Sequence, residues 1–426
     1  MSGVVAFIVL VVCLALGIPI ALCIGGAVIA AFLVSGTDLL NMVLKMYSSC
    51  DSFTLMAIPF FMFAGALMET GGMSKRLVRF ANSLVGMIPG GLAHVQILAS
   101  AFFAALSGSS PATTAAIGGI MIPEMEKEGY PADFSAGVQA VAGTIGTIIP
   151  PSIPMVVYGV CAQVSVGKLF AAGVFPGLLY AFSMMFIVFI ISKKRGYRST
   201  TYTKISGSEV WAAFKDAIWA LLVPIIILGG IYSGIFTPTE SGAIAALYGL
   251  LAGMFIYKEL KIHDVIRILV KATANTAMVM LIIAAAGAFT WHLTIAGIAD
   301  AIGGAFASIS STKAIFLALT IVLLLFLGCF METLANILMV TPIMLPVAVQ
   351  LGIDPIHYGI IMVMTLSLGM ATPPVGENLY IAASIAGIKF EKIISNALPC
   401  IIAAIVAIIL TTIIPPLSMF LPSLMG

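Results

Sequence analysis

The chain has 426 residues, of which 61% are hydrophobic and only 8% charged, against about 25% charged in an ordinary soluble domain. Nineteen basic and 17 acidic residues leave a net charge of +2. This composition excludes a soluble enzyme, a nucleic-acid binder and a secreted scaffold. Residues 1–37, 80–123, 134–167, 272–299 and 393–426 carry no Asp, Glu, Lys or Arg. A spanning helix needs about 20 mostly apolar residues, so the chain supplies roughly 12 crossings. Continuous apolar runs, not ten-residue alternation, point to helices rather than a β-barrel. The six cysteines are scattered with no CxxC and no Cys/His cluster, so no disulfide framework or metal–thiolate site is indicated.

In chain order, the apolar start reads as one or two helices, broken near Gly17-Ile18-Pro19. It lacks the basic n-region of a signal peptide. Leu39, Leu40, Val43, Met46 and Tyr47 then share one helical face, which suits a helix lying in the membrane interface around 38–50. Lys75, Arg76 and Arg79 form one basic cluster; Lys193, Lys194, Arg195, Arg198 and Lys204 form another. By the positive-inside rule these segments are cytoplasmic. Residues 192–210 are the only real linker and lie near the middle of the chain, which suggests two halves.

Four segments do not read as plain spanning helices. Ser107-Gly108-Ser109-Ser110-Pro111 lies between two apolar stretches; small polar residues followed by proline suit a turn and a new helix start. It reads as the tip of a re-entrant helical hairpin. Further on, Gly146-Thr147-Ile148-Ile149-Pro150-Pro151-Ser152 places two prolines in an apolar run, which removes two backbone donors and bars helix for the residue before them. The joint should be unwound, and unwound backbone at membrane depth is tolerated only inside protein or along a wet cavity. An offset of 223 residues finds both features again. Gly328-Cys329-Phe330-Met331-Glu332-Thr333 answers the first tip, and Gly369-Met370-Ala371-Thr372-Pro373-Pro374-Val375 answers the first joint. The same register pairs Pro123 with Pro346 and Gly129 with Gly352, and it pairs the 38–50 stretch with a second amphipathic stretch at 258–271. Two such halves in inverted topology are a transporter architecture.

Between the halves, Thr237-Pro238-Thr239-Glu240 reads as a capping box with proline at the first helical position, which gives Glu240 a structural role. Trp291-His292 sits in an apolar stretch and reads as packing. The chain has no phosphate-binding GxxxxGK[ST] loop, so it does not itself use ATP. It also has no hydrolase pattern. The four histidines are unclustered, which argues against a cofactor-bearing subunit of a respiratory complex.

The paired tips and joints, together with Gly234-Ile235-Phe236-Thr237-Pro238-Thr239-Glu240-Ser241-Gly242-Ala243, resemble the large membrane (M) subunit of tripartite ATP-independent periplasmic (TRAP) transporters. The resemblance covers essentially the whole chain. It implies an all-α polytopic protein of the bacterial inner membrane with inverted repeats, two re-entrant hairpins and two broken helices. It also implies an elevator mechanism. On this reading 1–91 and 217–312 are scaffold helices, 92–191 and 313–388 form the transport domain, 192–216 is a cytoplasmic linker and 389–426 a C-terminal membrane helix. The implied partners are a small membrane (Q) subunit, separate because the chain starts in the large-subunit pattern, a periplasmic substrate-binding protein (P subunit), membrane lipid and an organic-acid substrate.

Sodium is the implied cofactor. Carbonyls at a helix end and at an unwound joint suit a small hard cation. One ion is expected among Ala105, Gly146, Ile149 and Ser152, and another among Gly328, Gly369, Thr372 and Val375. Substrate contacts are expected from Ser107, Ser109, Ser110, Thr113, Pro150, Glu332, Thr333, Asn336 and Asn378. From the look of the two tips, sialic acid is the expected substrate. The alternatives are a C4-dicarboxylate or another sugar or keto acid, or a stand-alone sodium/carboxylate symporter. No Lys or Arg lies between Arg79 and Lys127, Lys127 and Lys168, or Lys313 and Lys389, so the motifs bring no arginine clamp of their own.

Overall fold

A computed structural model describes residues 2–197, 206–298, 301, 304 and 312–425. Arg198 and Lys204 of the basic linker lie outside the described residues. Every regular element among the described residues is helical. Eight helices are long and apolar enough to cross a membrane, and five shorter apolar ones accompany them. By length and composition alone the described helices thus give eight candidate spans against the roughly 12 expected, because much of the apolar sequence is divided into shorter helices.

The first half opens with α1 (Ser2–Ala15) and α2 (Ile20–Ser35), parted at Gly17-Ile18-Pro19. Next come α3 (Leu39–Cys50), α4 (Ala57–Thr70) and α5 (Met73–Val85). α3 buries no residue and exposes Leu39, Leu40, Val43 and Tyr47, as an interfacial helix should. The hairpin follows as α6 (Gly91–Ser107) and α7 (Ser110–Lys127). α8 (Ala132–Ala142) runs into a 3-10 turn at Gly143–Thr147, and after the proline pair the chain resumes as α9 (Ile153–Ala162) and α10 (Val166–Arg195).

The second half repeats this order. α11 (Gly207–Tyr232) and α12 (Pro238–Leu251) precede α13 (Ile262–Ile295). The second hairpin is α14 (Lys313–Phe330) with α15 (Thr333–Gln350). α16 (Pro355–Gly369) and α17 (Glu377–Ala386) flank the second joint, and α18 (Phe390–Ile413) and α19 (Pro416–Ser423) close the chain. The offset of 223 carries the bounds of α7 onto those of α15. Both proline pairs, Pro150–Pro151 and Pro373–Pro374, are joined by cis peptides.

The repeat departs from symmetry at the amphipathic stretches. In the first half Asp51 and Ser52 separate α3 from α4. In the second half no break intervenes, and the 258–271 stretch is the opening of the continuous 34-residue α13 rather than a separate interfacial helix. The segment Ala272-Thr273-Ala274-Asn275 holds no proline or glycine to break the helix.

The topology is inverted. Gly90, at the open end of the first hairpin, donates its N–H to the carbonyl of Tyr197 at 2.9 Å, just past Lys193, Lys194 and Arg195; this face is cytoplasmic. α10 spans 30 residues, about 45 Å at 1.5 Å per residue, so its start lies at the opposite face. There the Tyr158 hydroxyl, near the end of α9, donates to the carbonyl of Pro355 at 2.6 Å. The second hairpin has its open end at that far face, where Lys313 Nζ donates to the carbonyl of Gly352 at 2.9 Å. One hairpin therefore enters from each side.

Two further details follow from local chemistry. Thr237 and Glu240 form the expected capping box, with Glu240 Oε2 accepting from Thr237 N at 2.8 Å and Thr237 Oγ1 accepting from Glu240 N at 3.2 Å. His292 is buried, 5.3 Å from the Phe32 ring and 3.2 Å from the Ser2 hydroxyl, which is the packing role expected of it.

At the cytoplasmic end Arg76 ties α5 to the second half. Its guanidinium meets Asp216 at 3.2 Å and Glu259 at 2.7 Å and lies 3.8 Å over the Tyr257 ring. The pairs are partly shielded, so they outweigh ordinary surface salt bridges. Arg76→Ala is expected to cost about 1–3 kcal/mol through the charge-assisted hydrogen bonds. The measurement is the melting temperature of the detergent-solubilised protein, with exposed Lys75→Ala as the control that should leave it unchanged.

Candidate functional site

The two hairpin tips and the two joints converge on one cavity. At the first tip the chain turns through Gly108, whose φ of 60° is costly for any residue with a Cβ. Gly108 N–H donates back to the Ala104 carbonyl at 3.1 Å. That leaves Ala105 among the last carbonyls of α6, which have no intrahelical donor. Space is short here as well: a Cβ on Gly108 would stand 2.8 Å from the Pro151 carbonyl oxygen. The tip therefore lies directly on the first joint, and Ile153 N–H donates to the Gly108 carbonyl at 3.2 Å.

The expected first sodium set is drawn together in part by these contacts. A Cβ on Gly146 would lie 2.4 Å from both the Ser109 carbonyl oxygen and Thr113 Oγ1, so this joint residue touches the tip. Ser152 is the N-cap of α9; its hydroxyl accepts from Met155 N and donates to the Thr147 carbonyl. Its own carbonyl accepts from Val156 N at 3.2 Å. In the second half the Gly328 and Gly369 backbones are in direct contact, since a Cβ on Gly369 would stand 2.5 Å from Gly328 Cα. The Gly369 carbonyl already accepts from Thr372 N at 2.9 Å, and Thr372 Oγ1 donates to the Leu368 carbonyl at 2.8 Å. A carbonyl has two lone pairs, so one remains for a further partner. Val375 is 39% exposed at the edge of the joint.

Between the tips lies a cavity of about 50 Å³. From the expected substrate set, Ser109, Ser110, Glu332 and Thr333 line it. Ser107, Thr113, Pro150, Asn336 and Asn378 do not line it; they stand one layer behind. The Thr113 hydroxyl donates to the Ser109 carbonyl at 2.8 Å and pairs with Ser107 Oγ at 2.9 Å. Asn336 Nδ2 donates to the Met331 carbonyl at 3.0 Å. Asn378 is fully buried, and its Nδ2 donates to Ser110 Oγ at 2.7 Å and to the Ala140 carbonyl at 3.1 Å. These side chains shape the tips and bind the halves to each other.

Asn378→Ala is accordingly expected to destabilise the protein by about 1–3 kcal/mol, because it leaves buried polar groups unpaired. Thermal unfolding checks the loss, and the ratio of uptake rates between competing substrates should stay constant.

The cavity also takes residues outside the expected ion and substrate sets. Thr147 and Met370 come from the joints, Ile153 and Pro154 from the start of α9, and Met62 and Val279 from α4 and α13. Thr147 belongs to the first joint, and its hydroxyl pairs with that of Ser367 across the halves. Met62 and Val279 had no sequence signal, because the offset of 223 pairs neither with a residue of the site. They close the cavity from α4 and α13. Small-molecule pockets measure roughly 300–1,000 Å³, so a ligand of that size requires these two helices and the tips to part.

Residues 7–417 match the family model described as the tripartite ATP-independent periplasmic transporter, DctM component. The chain belongs to this family. It is 44% identical to the isethionate TRAP transporter permease protein DctMQ of Oleidesulfovibrio alaskensis over 96% of its own length and 64% of that protein. It is also 44% identical to the C4-dicarboxylate TRAP transporter large permease protein DctM of Pseudomonas aeruginosa, over 91% of this chain and 90% of that one. The sialic acid TRAP transporter large permease protein SiaM of Vibrio cholerae is 39% identical over 89% and 88% of the two chains. The fold is shared with solved membrane transporters, among them MtrF of Neisseria gonorrhoeae. That match has a TM-score of 0.60 at 12% identity and covers 89% of this chain and 85% of the other. This member of the DctM family is therefore a multi-pass membrane transport component, in bacteria a protein of the inner membrane, and not an enzyme.

Proposed function

We propose that this DctM-family chain imports an organic-acid anion by sodium-coupled elevator transport, receiving it from a periplasmic binding protein and working with a small membrane subunit. The observation that carries the reading is the cavity at the meeting point of both tips and both joints. It offers hydroxyls and one carboxylate and no basic side chain. A buried carboxylate needs a compensating charge or hydrogen bonds. The sources in reach are sodium at the two tip–joint contacts and the N-termini of α9 and α17. In this reading one ion is held among Ala105, Gly146, Ile149 and Ser152, and the other among Gly328, Gly369, Thr372 and Val375.

The hairpins and joints would move as one body along α4 and α13. Two cross-half hydrogen bonds, Thr147 to Ser367 and Asn378 to Ser110, support that unity. The relatives are named for isethionate, C4-dicarboxylates and sialic acid; sialic acid is the substrate that the look of the tips suggests. Reconstitution into liposomes with the binding protein and small subunit tests the reading. Uptake of one of these acids should require an inward sodium gradient and no ATP. In a cysteine-free background, a thiol cross-link between Val279→Cys and Leu334→Cys should stop uptake while sodium binding persists. Undiminished transport through the cross-linked protein would sink the elevator assignment.

A further inference from the structure

A cleft of about 870 Å³ lies between α14 and α18, floored by the start of α16. Its walls are apolar, with Leu317, Ile321 and Leu325 on one side and Ile405, Ile409 and Ile413 on the other. The repeat shows that the cleft is a specific departure from symmetry. In the first half the matching helices α6 and α10 pack directly on each other. His94 and Phe189 bring their rings to 6.4 Å there, and a Cβ on Gly90 would meet Ser192 Oγ. At the offset of 223, His94 becomes Leu317 and Phe189 becomes Thr412, and both line the cleft. Loss of the ring pair, with Thr412 far smaller than Phe189, thus leaves open in the second half what aromatic contact closes in the first.

The cleft sits among membrane-spanning helices, at the end where the second hairpin opens to the far, periplasmic face. Its mouth carries one charge of each sign, Lys313 and Asp354. Lys313 Nζ makes one bond, to the Gly352 carbonyl. One Asp354 oxygen accepts from the Ile356 and His357 amides. An amine and a carboxylate over an apolar slot complement a zwitterionic headgroup over an acyl chain.

We propose that this cleft binds one phosphatidylethanolamine molecule of the periplasmic leaflet, with an acyl chain between α14 and α18, phosphate on Lys313 and ammonium on Asp354. The lipid replaces the helix–helix contact that α6 and α10 make for themselves. Because it lies against the second hairpin, it travels with that hairpin.

The test uses the full chain, purified in mild detergent with its partner subunit and then delipidated. Native mass spectrometry and thermal shift are read on titration with phosphatidylethanolamine and, separately, phosphatidylglycerol. Wild type should take up one phosphatidylethanolamine and gain thermal stability. Lys313→Ala, an exposed change, should weaken that binding about fivefold, the share of one basic residue at a membrane surface. Leu317→Phe with Thr412→Phe, which restores bulk at the register of the first half, should abolish the adduct and leave the melting temperature at or above that of delipidated wild type. Equal lipid uptake by the filled variant overturns the proposal, and so does equal affinity for phosphatidylglycerol. Capture of the small membrane subunit by a photo-cross-linker at position 317 also overturns it.

Discussion

Gly369→Ala is expected to abolish sodium-dependent uptake, although it adds a single methyl group. The two backbones at the second tip–joint contact leave that methyl nowhere to go. It would stand 2.5 Å from Gly328 Cα and 2.6 Å from the Gly328 carbonyl carbon. Both are main-chain atoms, so no flexible side chain can yield. Overpacking of this kind typically costs about 1–3 kcal/mol, and here it falls on the carbonyls proposed to hold an ion. A shift of the tip by a fraction of an ångström is enough to break coordination. Removing the nearby hydroxyl with Thr372→Val should be much milder, since it deletes one side-chain bond to the Leu368 carbonyl and moves no backbone. Sodium titration of the purified complex, followed by uptake in liposomes, checks the order of the two effects. If Gly369→Ala and Gly146→Ala both transport like wild type, the proposed ion sites are wrong. The Gly146 change would meet the Ser109 carbonyl oxygen and Thr113 Oγ1 at 2.4 Å.

Replacing sodium with choline is expected to weaken substrate binding about hundredfold, because an uncompensated buried carboxylate costs several kcal/mol and each ~1.4 kcal/mol is tenfold. The cavity holds Glu332 and the hydroxyls of Ser109, Ser110, Thr147 and Thr333. A carboxylate substrate adds negative charge beside an acid. Helix N-termini contribute only partial positive charge, so sodium is the full charge in reach. Coupling then arises at the site itself, with ion and substrate each raising the other's affinity. Two sodium ions per monoanion would carry net charge inward, and each unit gains about 2.3 kcal/mol per 100 mV of membrane potential. Uptake should therefore accelerate when a valinomycin-clamped potassium gradient makes the liposome interior negative. Equal substrate affinity in sodium and choline, measured by calorimetry on the purified complex, would refute this account.

The membrane class, the two halves and the four interrupted segments were legible in the sequence because each rests on local chemistry. A proline pair forbids helix wherever it falls, a capping box starts one, and 20 apolar residues seek lipid regardless of neighbours. The same locality explains why Gly146, Gly328 and Gly369 stood out before any contact was known. What the tertiary structure alone decided is which of those residues face one another. Ser110 and Asn378 lie 268 positions apart, and no period or motif says that one side chain spends its hydrogen bonds on the other instead of on a substrate. Met62 and Val279 reach the cavity because α4 packs on the first hairpin and α13 on the second, and apolar residues on spanning helices look alike whether they face lipid or a site. The separate helix expected at 258–271 merged into α13 because tertiary packing continued a helix that nothing local stopped. The cleft beside Lys313 arose from two substitutions, Leu317 for His94 and Thr412 for Phe189, that matter only once α14 and α18 stand side by side.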